Sequence, residues 1–388
     1  HAGHLQVDFA AVMANKDEKV QRFKRAKVQA IQAGGYPVIQ ARGRFTGRHT
    51  VEAAGRTYRF TQGAVIASGS RPRLPPLPGL KDVPYMTSDD LMRLSRLPDS
   101  VLALGTGAVG LELSQFLARM GTRVTLFSRR RLFHATDPLL ASEMEKVLAA
   151  EPNLELIQPV QPEELRRRDG QVEMRLQDGR TFTAESLVLA TGREAVLDDL
   201  GLEEAGVQVQ DHRVVCDAAM RTSHPRIFVA GDATGQEMIL HVASQEGRVA
   251  GLNAADPASM LQVDRRISMR VIFTDPPLAL LGLTEETALK QGMDVVASHT
   301  LFSTTGRAIT QDVRHGVLKL VAAAGDGEIL GAQILGPRAD DLVHTLAAVL
   351  HYRGTAADLL AMPWYHPTLS EVFLGLARDL EESRRSRL

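Results

Sequence analysis

The most informative part of this sequence is Val101-Leu-Ala-Leu-Gly105-Thr-Gly107-Ala-Val-Gly110-Leu-Glu112. An apolar strand leads into glycines spaced G-x-G-x-x-G, and an apolar helical pattern follows. In such a loop the first glycine permits a tight turn, the second lets the backbone approach a pyrophosphate, and the third lets the helix pack on the strand. The helix N-terminus adds partial positive charge. We therefore predict that Gly105, Gly107 and Gly110 bind a dinucleotide, the alternative being a purely structural glycine turn.

A second apolar strand, at residues 123–127, ends in Ser128-Arg129-Arg130-Arg131. Enzymes that use NAD usually place a carboxylate here to hold the ribose 2′-hydroxyl. A neutral serine followed by guanidinium groups suits a 2′-phosphate instead, because arginine binds phosphate through charge-assisted hydrogen bonds. We predict NADP binding through Ser128, Arg129 and Arg130, with NAD as the alternative. A solvated basic loop is the competing interpretation, since another arginine run in this chain accompanies no motif.

Composition excludes several classes of protein. The 388 residues include 45 Lys and Arg and 46 Asp and Glu, so the net charge is −1 and no overall attraction to nucleic acid is expected. No apolar run reaches the roughly 18 residues of a membrane-spanning helix. Cys216 is the single cysteine, which excludes an intrachain disulfide and a C-x-x-C metal site, and we interpret it as a packing residue. We expect no nucleic-acid partner, no membrane contact, no metal and a cytoplasmic location, since no export signal is visible.

The pattern of apolar residues changes along the chain. Residues 5–33 carry apolar positions at helical spacing opposite a charged face, which predicts one amphipathic helix or two. Residues 38–65 form short alternating runs broken by glycine and predict a small β-meander. Strands and helices alternate over 99–222, as in a parallel α/β sheet. From about Ile267 strands are followed by helices, which predicts a separate C-terminal domain.

Four further motifs follow one another along the chain: Val65-Ile-Ala67-Ser68-Gly69-Ser70, Leu187-Val-Leu-Ala190-Thr191-Gly192-Arg193, Arg226-Ile-Phe-Val-Ala230-Gly231-Asp232 and His366-Pro367-Thr368-Leu369-Ser370-Glu371. With the glycine loop, they resemble the FAD-dependent pyridine nucleotide–disulfide oxidoreductases, a family that includes dihydrolipoamide dehydrogenase, glutathione reductase and mercury(II) reductase. The resemblance extends from about residue 5 to residue 380. It implies a flavoprotein that transfers electrons from NAD(P)H through FAD to a disulfide or dithiol substrate.

The resemblance also implies the architecture. It predicts an α/β fold with two Rossmann-like nucleotide-binding domains and an α+β C-terminal dimerisation domain, assembled as a homodimer. The NAD(P) domain is inserted into an FAD domain that is itself incomplete. The expected domains are 1–98 for the first part of the FAD domain, 99–222 for the NAD(P) domain, 223–266 for the return of the FAD domain, and 267–388 for dimerisation.

The flavin site is assigned by the same resemblance. Asp232, which follows Gly231, is expected to bind the ribityl chain of FAD. The other expected cofactor contacts are the turn at Gly43 near the adenine, Ala67, Ser68 and Gly69 beside the flavin, Glu112 near the nicotinamide, Gly192 at the end of the NAD(P) domain, and Leu240 and His241 under the isoalloxazine ring.

His366 and Glu371 are the candidate catalytic residues. Pro367 at a first helical position predicts a helix start, so that Glu371 lies about one turn along and can return to the imidazole. A carboxylate on one imidazole nitrogen fixes the tautomer and raises basicity, which suits general acid–base catalysis. The resemblance implies that this histidine serves the thiols of the partner subunit. The alternative for His366 is a capping role.

Two features of the family do not occur in this sequence: a first glycine loop for FAD, and Cys-x-x-x-x-Cys. The chain begins at His1, so we expect that an N-terminal unit of about 80 residues with the redox helix is missing, and that FAD is held poorly. Three alternatives stay open: mercury(II) reduction, a catalytically inactive cofactor-binding remnant, and a flavin-free NAD(P) dehydrogenase. The motifs do not identify the disulfide substrate.

Overall fold

The computed structural model describes residues 7–133, 137–256 and 258–387. Most of these residues form two compact units, each described here by itself. The larger unit contains residues 75–191 and 265–387, and the smaller contains residues 10–74 and 192–264. The boundaries of the four predicted domains stay predictions.

The larger unit contains a five-stranded parallel sheet around the strand of the glycine motif. In spatial order its strands are Tyr85–Met86, Ser186–Leu189, Ser100–Leu104, Arg123–Phe127 and Leu154–Ile157. Helices Ala108–Met120 and Pro138–Ala149 cover one face, and an antiparallel sheet of strands Pro162–Arg168, Gln171–Leu176 and Thr181–Ala184 covers the other. The central strand is apolar throughout because both faces are covered, and Val101, Leu102 and Ala103 are each 1% exposed. The predicted α/β arrangement is confirmed here.

The same unit contains a five-stranded antiparallel sheet. In spatial order its strands are Met269–Ile272, Leu278–Gly282, Ile329–Leu335, Val317–Ala323 and Val295–Leu301. The helices of this region are Glu285–Lys290, Gly306–Ile309, Ala339–His351, Ala356–Ala361 and Val372–Arg385, with 3-10 turns at Phe302–Thr304 and Leu369–Glu371. Alternate residues of the sheet face these helices on one side and helix Pro138–Ala149 on the other. The predicted strands-then-helices pattern is therefore an α+β layer.

The smaller unit begins with the predicted β-meander. Strands Gly43–Gly47, Thr50–Ala53 and Arg56–Arg59 form an antiparallel sheet. Gly43 starts a strand rather than a turn, because Phe45 alternates into the core and is only 8% exposed. The remaining strands pair as Ala64–Ile66 with Ile227–Val229, Ser70–Pro72 with Arg193–Ala195, and Val209–Gln210 with Arg213–Val214. Helix Leu240–Ala255 packs on the first of these pairs.

The helix predicted over residues 5–33 is a single helix, Phe9–Ala33, and none of its residues is buried. Residues 5 and 6 lie outside the described residues. In the part of the chain that the structure describes, no helix combines the length and apolarity needed to cross a membrane. The cytoplasmic location stays a prediction.

An ion triad with a buried Lys–Asp pair joins the two layers of the larger unit. Lys319 of the antiparallel sheet donates to Asp137, which caps helix Pro138–Ala149, and to Glu285, both at 2.5 Å. The Lys319 side chain is 14% exposed and that of Asp137 is 7% exposed. Burial opposes charge on both groups, yet their hydrogen bonds outweigh it. The pKa of Asp137 is therefore lowered and the pKa of Lys319 is raised.

Lys319→Met is expected to lower the free energy of unfolding by about 3–5 kcal/mol at neutral pH, because it leaves a buried carboxylate without its cation. The exposed pair Lys290–Glu286 provides the control. Lys290→Met should change the free energy of unfolding by less than about 1 kcal/mol. The contribution of Asp137 should disappear as the pH falls through its lowered pKa, and that of Lys319 as the pH rises through its raised pKa. Denaturant unfolding across pH measures both. Equal losses for the two lysine variants would contradict the triad's role.

Candidate functional site

The three glycines of the loop have different structural roles. Gly105 has φ +109°, and a Cβ there would lie 2.3 Å from the carbonyl oxygen of Ala190. A Cβ on Gly110 would lie 1.9 Å from the carbonyl oxygen of Gly105. Gly107 is the N-cap of helix Ala108–Met120, and a Cβ there would meet no atom within 4 Å. The turn thus requires Gly105 and the close packing requires Gly110, while Gly107 faces open space.

This open space lies at the N-terminus of a 13-residue helix. The first turn of any helix has N–H groups without an intrahelical acceptor, and they carry partial positive charge. A pyrophosphate placed over Gly107 would meet these groups without a side chain in the way. The loop therefore has the geometry that the sequence predicted for dinucleotide binding.

The basic loop after strand Arg123–Phe127 is bonded to the glycine loop. Ser128 is 7% exposed, and its hydroxyl lies 2.8 Å from the hydroxyl of Thr106. The same Ser128 hydroxyl donates to the carbonyl oxygen of Arg130 at 2.6 Å. Arg129 and Arg130 are exposed. Thr106 was missed from the sequence because it occupies a variable position of the glycine motif.

Glu112 has a structural contact within the larger unit. Its Oε1 accepts a hydrogen bond from the backbone N–H of Phe273 at 2.9 Å. Burial raises the pKa of this half-buried carboxyl, and the hydrogen bond only partly offsets it. Glu112 therefore holds the chain that follows strand Met269–Ile272. Its predicted contact with nicotinamide and flavin stays a prediction.

Asp232 is held by a relay of side chains in the smaller unit. Arg193 Nε donates to the Ser70 hydroxyl at 2.7 Å, and that hydroxyl donates to Asp232 Oδ2 at 2.5 Å. Among the described residues, no hydrogen bond to the other carboxylate oxygen is found. Asp232 thus has one oxygen fixed by the protein and one able to accept from the hydroxyls of a ligand. This arrangement fits the ribityl chain of FAD.

A buried carboxylate fixes the backbone beside Asp232. Glu246, on helix Leu240–Ala255, is 0% exposed and its Oε2 accepts from the N–H of Gly231 at 2.8 Å. Gly231 has φ +65°, and a Cβ there would lie 3.1 Å from the Cβ of Ala243. Glu246 and the relay through Ser70 and Arg193 were not predicted as site residues. Ser70 and Arg193 lie within the quoted motifs, whereas Glu246 has no sequence signal beyond its helix.

The remaining predicted cofactor residues lie in turns, at a helix start and in a strand. Gly69 has φ +76° and Gly192 has φ +101°, so each supports a turn. The Ser68 hydroxyl is buried without a hydrogen-bond partner in the described residues, whereas Ala67 is exposed. Leu240 and His241 are exposed at the start of their helix.

Gly43, predicted in a turn, instead pairs with Ala53 in the meander. Cys216 packs against two apolar clusters.

The His366–Glu371 pair forms as the sequence predicted. His366 Nδ1 lies 2.8 Å from Glu371 Oε1, and Glu371 Oε2 accepts from the backbone N–H of Thr368 at 2.7 Å. The Thr368 bond and then the histidine bond lower the pKa of Glu371. The imidazole side chain is 78% exposed, so its Nε2 can reach a partner molecule. The carboxylate thus orients a histidine that is open to solvent.

The predicted position of Pro367 is wrong by two residues. Thr368 is the N-cap and forms a capping box with Glu371, so the helical turn begins at Leu369 and Pro367 precedes the cap. The helical turn begins after Thr368 because the side chains of Thr368 and Glu371 bond to its first backbone N–H groups, which a proline cannot do. The return of Glu371 to the imidazole is unaffected.

A cavity of about 290 Å³ lies beside this pair. Its polar lining consists of the hydroxyls of Thr300, Thr304, Thr305 and Thr368, the carboxylates of Glu371 and Asp379, and the imidazole of His366. Ser298 bonds to Asp379 Oδ2 at 3.2 Å. Such a lining provides both donors and acceptors for a small polar ligand next to the imidazole.

Two related family models match the chain. Residues 4–247 match the model of the pyridine nucleotide-disulphide oxidoreductases, and residues 268–377 match the dimerisation domain of that family. The chain belongs to the FAD-dependent pyridine nucleotide–disulphide oxidoreductases. The predicted family, flavoprotein class and fold are confirmed.

Several enzymes resemble the chain in sequence or in fold. Mycothione reductase from Mycobacterium tuberculosis is 34% identical over 340 residues, which cover 86% of this chain and 73% of that protein. Mercuric reductase from Acidithiobacillus ferrooxidans is 30% identical over 369 residues, which cover 93% and 66%. The HOCl-induced flavoprotein disulfide reductase RclA from Escherichia coli superposes with a TM-score of 0.86 at 23% identity, over 96% of this chain and 86% of that one. This last likeness concerns the fold.

Proposed function

We propose that this chain supplies the nucleotide-binding, flavin-binding and proton-transfer parts of an NADPH-dependent disulfide reductase that acts as a homodimer. The reaction is NADPH + H⁺ + RSSR → NADP⁺ + 2 RSH. The observation that carries the proposal is the Glu371-oriented His366 beside a cavity lined by hydroxyls. A leaving thiolate needs a proton, and an exposed imidazole held by a carboxylate can donate one.

The preference for NADPH is supported by the loop at residues 128–131. A buried neutral serine replaces the carboxylate that would repel a 2′-phosphate, and two exposed arginines follow it. Arginine forms charge-assisted pairs with phosphate. NADH therefore lacks the group that this loop is equipped to bind.

FAD is assigned to the smaller unit. Asp232 is expected to accept from the ribityl hydroxyls, with Ser68 and Gly69 along the flavin and Leu240 and His241 below it. When bound, FAD would supply two-electron chemistry between NADPH and a disulfide. The protein's part is to orient Asp232 through Ser70 and Glu246.

Cys216 is the only cysteine among the 388, so no intrachain redox disulfide can form within this sequence. In an enzyme form that includes a redox-active cysteine pair, we place His366 opposite those thiols of the partner subunit, because residues 268–377 match a dimerisation domain. A disulfide is favoured over mercury(II), since a soft metal ion requires several thiolates. The disulfide would be small enough for the cavity beside His366.

Gly107→Ala provides a sharp test of nucleotide binding. Its φ of −73° and ψ of −178° suit any residue, so the fold should lose no more than about 1 kcal/mol from the changed N-cap. NADPH affinity should nevertheless fall at least about tenfold, because the methyl group occupies the path of the pyrophosphate. Titration of NADPH and a melting temperature measure the two effects.

Gly110→Ala and Gly251→Ala are the matched comparisons. The first should destabilise the fold by roughly 1–3 kcal/mol through overpacking. The second lies on helix Leu240–Ala255 in open space. It should leave NADPH affinity unchanged and raise stability by about 0.5–1 kcal/mol, because alanine is the better helix former. Wild-type NADPH affinity in Gly107→Ala would argue against a dinucleotide at this loop.

A further inference from the structure

The hydrogen bonds around Ser128 have a fixed direction. Its hydroxyl has one proton, which it donates to the carbonyl oxygen of Arg130 at 2.6 Å. The contact of 2.8 Å with Thr106 therefore runs from the Thr106 hydroxyl to the Ser128 oxygen. The result is an ordered chain from the glycine loop, through Ser128, to the backbone of the basic loop.

The rest of the basic loop is held from the neighbouring strand. The N–H of Ser128 donates to the carbonyl oxygen of Ile157 at 3.1 Å, and the N–H of Leu132 donates to Gln158 Oε1 at 2.9 Å. These contacts fix the two ends of the loop. Between them, the Ser128 hydroxyl holds the carbonyl group of Arg130.

From this geometry we infer that Ser128 is a positioning residue for recognition of the 2′-phosphate, and that Thr106 couples it to the pyrophosphate-binding loop. The inference rests on the proposed NADPH preference and adds to it. Ser128 not only avoids the negative charge of a carboxylate but also donates a hydrogen bond to the loop that carries the arginines. A carboxylate would accept hydrogen bonds only, so it could not hold the Arg130 carbonyl. The same position would then bind a ribose hydroxyl and release the arginine loop.

The test uses this chain without flavin, by calorimetric titration of two probes, 2′,5′-ADP and 5′-AMP. Both contain the adenosine 5′-phosphate, and only the first carries the 2′-phosphate. Ser128→Ala should weaken 2′,5′-ADP about three- to tenfold, the effect of one lost neutral hydrogen bond. Its affinity for 5′-AMP should change less than about twofold. Ser128→Thr should restore the 2′,5′-ADP affinity, which a merely structural loss would not predict.

Thr106→Val removes the other hydroxyl and gives an independent measurement if Ser128→Ala fails to fold. It should reduce the preference for 2′,5′-ADP in the same direction, with recovery in Thr106→Ser. Ser114→Ala is the control, because Ser114 is a buried serine on helix Ala108–Met120. It should leave the ratio of the two affinities unchanged.

Several outcomes would overturn the inference. One is an unchanged ratio of the 2′,5′-ADP and 5′-AMP affinities in both Ser128→Ala and Thr106→Val, whether the two affinities stay the same or fall by the same factor. If arginine substitutions still reduced the ratio in that case, the NADPH preference would stand alone. A wild-type chain that binds 5′-AMP as tightly as 2′,5′-ADP would overturn the NADPH preference itself.

Discussion

Replacing Arg129 and Arg130 together by alanine is expected to weaken NADPH binding by about 10²–10⁴-fold while NADH binding changes little. Each charge-assisted phosphate contact contributes roughly 1.5–3 kcal/mol, which is about tenfold to a hundredfold in affinity. NADH offers these guanidinium groups a hydroxyl in place of a dianionic phosphate. The difference in affinity between the two nucleotides should therefore collapse. Equilibrium titration of both nucleotides with the purified chain measures it.

Arg167 gives the matched control for this charge change. It is an exposed arginine on strand Pro162–Arg168 of the same unit, so Arg167→Ala alters net charge without touching the basic loop. Its NADPH affinity should stay within about twofold of wild type. The affinity should also fall with added salt in wild type, and less in the double variant. Equal losses of NADPH and NADH affinity in the double variant would refute 2′-phosphate recognition.

His366→Ala has the second large expected effect. In an enzyme form that includes a redox-active cysteine pair, disulfide reduction should slow by about 10²–10⁴-fold, the usual contribution of a general acid. Reduction of the flavin by NADPH should be unchanged, because that half-reaction needs no proton from this residue. Rapid-mixing measurements separate the two half-reactions. Glu371→Gln should give a smaller loss of the same kind, since it leaves the imidazole but weakens its orientation.

Exposed His212 of the smaller unit provides the control, and His212→Ala should keep both half-reactions. Mixed dimers test the placement across the interface. Subunits with His366→Ala, combined with subunits that lack the redox cysteines, should regain activity, because some sites then pair an intact histidine with intact cysteines. Failure of mixed dimers to regain activity would contradict the proposed role across the interface.

The sequence predicted the features that depend on local pattern. The apolar run at residues 101–104 identified a strand, which the structure shows to be buried. The glycine spacing identified the turn at Gly105 and the close packing at Gly110. The contact between His366 and Glu371 also followed from their spacing. Gly110 and Gly105, like His366 and Glu371, lie five residues apart, so chain geometry leaves few alternatives for these two contacts.

The features that the sequence did not predict depend on distant residues. Ser70 meets Asp232 and Arg193 only after strands Ser70–Pro72 and Arg193–Ala195 have paired. Thr106 and Ser128 are brought together by neighbouring strands of the parallel sheet. Their side chains follow no period that marks a hydrogen bond across the fold. The capping box at Thr368 was missed for a local reason, because Pro367 gave a competing helix-start signal.

The most direct test of the account is anaerobic reduction of flavin by this chain. The purified protein is mixed with excess FAD, so that weak binding does not limit the result, and NADPH or NADH is added in separate samples. We predict loss of the flavin's visible absorbance with NADPH, slower loss with NADH, and much slower loss with NADPH in Asp232→Ala. Flavin that stays oxidised at saturating NADPH, or that is reduced equally fast by NADH, would contradict it.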